Sequence, residues 1–175
     1  MYGTTENQTA KISEYVVEVA RDHGYEEAQA LDIQRLPRGF SLAGCDAVIV
    51  GASIHMGEYD KYVRDFVKQN LESLKRVPSA FFSVSMTAAE EIGEARSRAE
   101  EYVERFLKET GWHPRETGVF ADALAYNRYG FVKRRLVMSA AKERHLDHAD
   151  TSRDYEYTDW EDVRRFAERF LGELA

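Results

Sequence analysis

Apolar residues along this chain alternate between two rhythms. Ile12, Tyr15, Val16, Val19 and Ala20 recur at helical spacing with Lys11, Glu14, Glu18 and Arg21 between them, and Gly24 closes the pattern. Ala47-Val48-Ile49-Val50 is different: a short β-branched run bounded by Gly44 and Gly51, too short for a buried helix and suited to a strand covered on both faces. Tyr62, Val63, Phe66, Val67, Leu71 and Leu74 then mark one amphipathic helix. After Pro78, Ser79 to Ser85 reads as a second buried strand. Ala95, Ala99, Tyr102, Val103, Phe106 and Leu107 return to helical spacing until Gly111, and Thr117 to Ala121 is a further strand. A capping box, Thr158 with Glu161, opens a last helix that buries Trp160, Val163, Phe166, Ala167, Phe170 and Leu171. Glu27 to Ile33 is a weaker strand, placed near a sheet edge, and Pro37-Arg38-Gly39 is a turn. Strands alternating with helices in this way predict an α/β fold, a doubly wound parallel sheet between two helical layers.

In such sheets ligands bind beyond the carboxyl ends of the strands. Three segments leave those ends: Gly51 to Gly57, Ser85 to Ala89, and Asp122 to Tyr126. The residues before the first helix, Thr4 to Thr9, hold three threonines, Asn7 and Gln8, with no Lys or Arg before Lys11. Hydroxyls and backbone N–H groups at a helix N-terminus can cradle a phosphate. The same residues also suit a plain polar cap. A strand should lead into this segment, yet only Met1 to Gly3 precede it.

The chain has 175 residues, enough for one domain over 1–175 with a sizeable core. Its net charge of −7 argues against a general nucleic-acid binder. No run of about 18 apolar residues is present to span a membrane, and the first residues lack the features of a secretory signal. The single cysteine, Cys45, forbids an internal disulfide and suits a cytoplasmic setting.

The segment Tyr2-Gly3-Thr4-Thr5-Glu6-Asn7-Gln8-Thr9 resembles the FMN phosphate loop of flavodoxins. Together with VIVGASIHMG (48–57), PSAFFSVS (78–85), ETGWHP (109–114), ALAYNRYGF (123–131) and DTSRDYEYTDW (150–160), it resembles the flavodoxin-like, quinone-dependent protoporphyrinogen dehydrogenases of haem biosynthesis. The resemblance implies an FMN-dependent oxidoreductase that oxidises protoporphyrinogen IX and passes electrons to menaquinone or a similar quinone. It implies a phosphate held by Thr4, Thr5, Glu6, Asn7, Gln8 and Thr9, with Glu6 contributing its backbone N–H alone. It places the flavin ring among Ser53, Ile54, His55, Met56 and Gly57, the strand end at Phe81, Ser85, Met86 and Thr87, and the loop Ala123, Leu124 and Tyr126. Relatives carry Gly where Asn7 stands, a position that asks for left-handed backbone, which Asn tolerates better than most residues. In flavodoxin-like sheets the first strand is central. Losing it would forfeit several buried side chains at about 1.5–3 kcal/mol each, out of a domain stability of roughly 5–15 kcal/mol. Met1 is therefore expected to fall inside that strand, as a late start or a truncation, unless a partner or a rearrangement repairs the sheet.

Residues 126–146 carry Arg128, Lys133, Arg134, Arg135, Lys142 and Arg144 against Glu143 alone. This basic, apolar insertion suits a porphyrin with propionate groups, or an anionic membrane surface holding a quinone; equally, its cations could balance acidic neighbours. Arg128, Tyr129, Lys133, Arg134 and Arg135 are the substrate-contact candidates that the resemblance implies. Tyr126 and Tyr129 could stack on a ring or brace the insertion. His55 could hydrogen-bond a flavin or face solvent. His145 and His148, beside Asp147 and Asp150, lack further ligands at metal-site spacing, so no metal is expected. Ser53 has no partner pattern of a hydrolase triad. Three other readings stand beside the main one: a flavodoxin-type electron carrier, a quinone reductase fed by a nicotinamide, and a module that binds no flavin. The oligomeric state is open, a homo-oligomer included.

Overall fold

A computed structural model describes residues 1–4, 7–85, 93–121, 123–124, 155–156 and 158–174. Among these, a parallel sheet runs β1 (Tyr2–Gly3), β2 (Val48–His55), β4 (Ser79–Ser85), β5 (Glu116–Ala121), with β3 (Glu58–Tyr59) folded back antiparallel on the end of β2. Asp32 bridges to the outer side of Tyr2 in parallel sense. The spatial order is thus the flavodoxin-like one, with β1 between the 32 region and β2. The expected central strand is present as two residues in register with β2, Tyr2 opposite Gly51 and Gly3 opposite Ala52.

Helices cover both faces. β4 alternates its side chains: Ala80, Phe82 and Val84 join α1 (Gln8–Asp22) and α5 (Trp160–Gly172) in one core cluster. Phe81 points the other way, into a cluster with α2 (Lys61–Gln69), α3 (Leu71–Arg76) and α4 (Gly93–Thr110). The three expected layers follow from this period-2 alternation against helical stripes. Trp112 is fully buried just beyond α4 and donates from Nε1 to Ser79 Oγ at 3.0 Å.

Several boundaries differ from the sequence reading. Gly51 to His55 is not a loop; β2 runs through it, pairing with β4 as far as Ser53 opposite Val84 and then with β3. Small residues make this extension feasible: a Cβ on Gly51 would lie 2.1 Å from Phe82 Cζ in the packed core. Gly51→Ala should therefore cost about 1–3 kcal/mol by overpacking, read as a lower urea midpoint. The 27–33 strand shrinks to the Asp32 bridge, because the Asp32 carboxylate accepts from Gln34 N at 2.9 Å and starts a 3₁₀ turn at Ile33–Arg35. The helix expected from Tyr62 to Leu74 breaks at Asn70, whose backbone N–H and Nδ2 both donate to Phe66 O. The last helix is capped by Asp159, which accepts from Glu161 N and Asp162 N, so Thr158 and Glu161 form no capping box. Thr158 is engaged elsewhere. Ala123–Leu124 is a short strand, β6, paired with β7 (Tyr155–Glu156), rather than loop.

Candidate functional site

The carboxyl ends of β1, β2, β4 and β5 and the N-terminus of α1 converge on one edge of the sheet. Asn7, the N-cap of α1, sits in left-handed backbone at φ 68°, as its residue type allows. Its N–H is donated to Thr4 Oγ1 at 3.1 Å, which folds the segment back on itself. No acidic residue occupies the first turn of α1, so no carboxylate within the helix offsets the positive end of its dipole. Thr9 is fully buried in that turn, and its hydroxyl has no hydrogen-bond partner. Buried polar groups are nearly always paired. An unpaired hydroxyl at a helix N-terminus fits an anionic oxygen, and the donor set here suits a phosphate.

Two side chains tie this turn to the far end of the chain. Gln8 Nε2 donates to Thr158 Oγ1 at 2.8 Å, and Thr158 Oγ1 donates to Ala121 O at 2.7 Å, both buried. Thr158 thus locks the start of α1 to the end of β5. Residue spacing carries no sign of this role, because the partners are 150 and 37 residues away. Thr158→Val should cost about 1–3 kcal/mol by leaving buried polar groups unpaired, visible in thermal unfolding.

On β2, Ser53 is buried and its Oγ lies 3.1 Å from His55 Nε2, a pairing of i and i+2 on one strand face. The β2–β3 connection is a two-residue tip, Met56 at φ 51° and Gly57 at φ 83°. That geometry matches tight hairpins. For Met56, left-handed backbone costs about 1–2 kcal/mol, and its side chain is wholly exposed. The hairpin base is fixed by Tyr59, whose hydroxyl donates to Ser83 Oγ at 2.8 Å; burial first raises its pKa well above the ordinary phenol value. Ile54 is half-buried opposite Tyr59, and Ser85 is buried at the end of β4.

Phe81 does not belong to this edge. It lies mid-strand with no exposed surface, stacked on Phe106 at 4.9 Å between ring centroids. It packs as a core residue. Thr5, Glu6, Met86, Thr87, Tyr126, Arg128, Tyr129, Lys133, Arg134, Arg135, His145 and His148 lie outside the described residues. Ala123 and Leu124 are placed by their backbone pairing alone.

Tyr62 flanks the same edge from α2. Its hydroxyl is buried without a well-formed hydrogen bond. Burial first, then the carboxylates of Asp60 and Asp32, pushes its pKa up to about 12. The unfolded phenol ionises from about pH 10, while the folded one resists. Tyr62 therefore contributes stability that is present below that pH and is lost as pH rises toward its folded value. The urea midpoint should fall from pH 8 to pH 11, and fall less in Tyr62→Phe; equal falls would contradict this.

A cavity of about 650 Å³, lined by Leu31, Ile49, Val16 and Phe170 among others, opens at the amino ends of the strands. It faces away from the edge where α/β sheets hold ligands.

A profile of the flavodoxin domain matches residues 1–152. The chain belongs to the flavodoxin-domain family. It is 34% identical over 170 residues to a Leishmania major protein named protoporphyrinogen IX dehydrogenase [quinone], covering 97% of this chain and 72% of that one. It is 32% identical over 168 residues to the protein of the same name from Escherichia coli K12, covering 95% and 90%. Oxidised flavodoxin 1 from Bacillus cereus shares the fold with a TM-score of 0.51 at 16% identity, covering 99% of this chain and 96% of that one. An archaeal flavodoxin does so with a TM-score of 0.52 at 12% identity, covering 99% of each chain. Among the described residues, no helix is long and apolar enough to cross a membrane, and no cluster of His, Cys, Asp and Glu could hold a metal ion.

Proposed function

We propose that this flavodoxin-family protein binds FMN at the carboxyl edge of its sheet and oxidises protoporphyrinogen IX to protoporphyrin IX, an step of haem biosynthesis, with a menaquinone-type quinone as electron acceptor. The reading is carried by similarity to the named dehydrogenases over 95–97% of the chain. The unpaired Thr9 hydroxyl supports the cofactor site independently.

The residues at this edge would hold FMN, which would supply the hydride and electron-transfer chemistry. The chain's own part is binding and orientation. Thr4, Thr5, Asn7, Gln8 and Thr9 would hold the phosphate with uncharged donors, and Glu6 with its N–H. Gln8 is itself held by Thr158, which fixes the first turn of α1. Ser53, Ile54, His55, Met56 and Gly57 would flank the ring on one side, and Ser85, Met86, Thr87, Ala123, Leu124 and Tyr126 on the other. Arg128, Tyr129, Lys133, Arg134 and Arg135 would meet the substrate, arginine forks pairing with propionate carboxylates. The same basic stretch would rest on an anionic membrane surface from the cytoplasmic side, where the quinone resides. On this reading the chain is one flavodoxin-like unit with an insertion at about 126–158.

The test is anaerobic mixing of FMN-loaded protein with protoporphyrinogen IX, followed by a quinone. Flavin absorbance should bleach with the first and return with the second. Flavin that stays oxidised beside the porphyrinogen contradicts the assignment.

A further inference from the structure

The β2–β3 hairpin is anchored at its base and strained at its tip. Tyr59 pins the base to Ser83. The tip, Met56–Gly57, has both residues in left-handed backbone and packs against α4. Non-glycine residues keep such backbone where their surroundings over-determine it. The surroundings here come from α4. Arg105 Nη2 donates to Gly57 O. Its guanidinium lies 5.1 Å from the centroid of the Tyr102 ring, which steers its plane. Tyr102 also underlies the tip, since a Cβ on Gly57 would come within 3.4 Å of its hydroxyl.

Two other cations on this flank have carboxylate partners: Arg64 faces Glu58 and Glu109, and Lys68 faces Glu109. Arg105 instead spends its fork on a backbone carbonyl and an aromatic face. Its charge also reaches inward, where it partly offsets the upward shift of the Tyr59 phenol. A guanidinium stays charged at all working pH values.

We propose that Arg105 is a positioning residue: it fixes the Met56–Gly57 tip and, through that tip and its own charge, favours the reduced over the oxidised form of the flavin. This rests on the FMN reading above. Reduction adds negative charge to a bound flavin, and a fixed cation held on the tip that flanks it would stabilise the more negative form. A fork bound to the Gly57 carbonyl also holds the turn in one geometry, so the ring meets a preformed surface.

The experiment uses the full chain, Arg105→Gln and Arg105→Lys, with two readouts. The first needs no flavin: the ¹³C-methyl signal of Met56, assigned by its loss in Met56→Leu. It should shift or broaden in Arg105→Gln while thermal unfolding shows the fold retained. The second is the midpoint potential of the FMN-loaded protein. Arg105→Gln should lose about tenfold more affinity for reduced than for oxidised FMN, equal to a midpoint about 30 mV lower for a two-electron couple. Arg105→Lys, which keeps the charge and loses the fork, should fall between the two. A Met56 signal and a potential both unchanged in Arg105→Gln overturn the proposal. A moved signal with an unchanged potential overturns the link to the flavin and leaves a structural brace. Wild-type protein that takes up no FMN defeats the cofactor reading itself, while the methyl signal still reports on the brace.

Discussion

Thr9→Val is expected to weaken FMN binding about 10- to 100-fold while leaving the flavin-free protein as stable as before or slightly more so. The two effects have opposite signs for one reason. The Thr9 hydroxyl is buried with no partner from the protein, and without a ligand to meet it, removing an unsatisfied group of this kind relieves a desolvation cost of about 1–3 kcal/mol. In the loaded protein the same hydroxyl would donate to a phosphate oxygen, and hydrogen bonds to charged groups contribute about 1.5–3 kcal/mol, or one to two decades in affinity. Valine keeps the shape, so packing changes little. Fluorescence titration and thermal unfolding on the same samples decide the matter. A Thr9→Val protein that unfolds more easily and binds FMN as the wild type does would make Thr9 a structural residue.

Phe81→Ala is expected to be among the most damaging single changes to stability, at about 3–5 kcal/mol. Phe81 is fully buried, with Tyr59, Phe106 and Trp112 around it at centroid distances of 5.5, 4.9 and 5.8 Å. Alanine would leave a ring-sized cavity among three aromatic groups, all of them buried. That loss is a large part of a typical domain stability of about 5–15 kcal/mol. The fraction that remains folded should bind FMN within about twofold of wild type, since the core cluster is set back from the carboxyl edge. Urea unfolding with FMN titration of the folded state checks both parts. Full stability with lost binding would return Phe81 to the ring site.

The layers were legible in the sequence because burial writes its period directly into it. Ile12 to Ala20 and Val163 to Leu171 show helical stripes, and Ser79 to Ser85 matches β4 residue for residue. The left-handed backbone at Asn7 was legible too. What escaped depends on contacts between distant residues or on small side chains. Gly51 to Ser53 looked like loop because glycine, alanine and serine are poor strand formers, yet their small size is what the neighbouring Phe82 ring requires. Asn70 interrupts an otherwise continuous apolar stripe through a local hydrogen bond to Phe66 O, a competition that periodicity does not register. Thr158 has the residue type and spacing of a capping box, but its hydroxyl accepts from Gln8 and donates to the Ala121 carbonyl instead, and Asp159 takes over the cap. Phe81 fell within the resemblance to a flavin-binding segment, while its place in the middle of β4, four residues before Ser85, sets it among core aromatic rings. Arg105 was invisible because its partner is a backbone carbonyl 48 residues away.

Equilibrium titration of the protein with FMN and with riboflavin, in parallel, tests the central claim most directly. The two ligands share the ring and the ribityl chain and differ in the phosphate. A site built on the uncharged donors at the start of α1 should favour FMN by about two orders of magnitude, from two or more charge-assisted hydrogen bonds. Equal affinity for the two ligands, or no affinity for FMN at micromolar concentration, would contradict it.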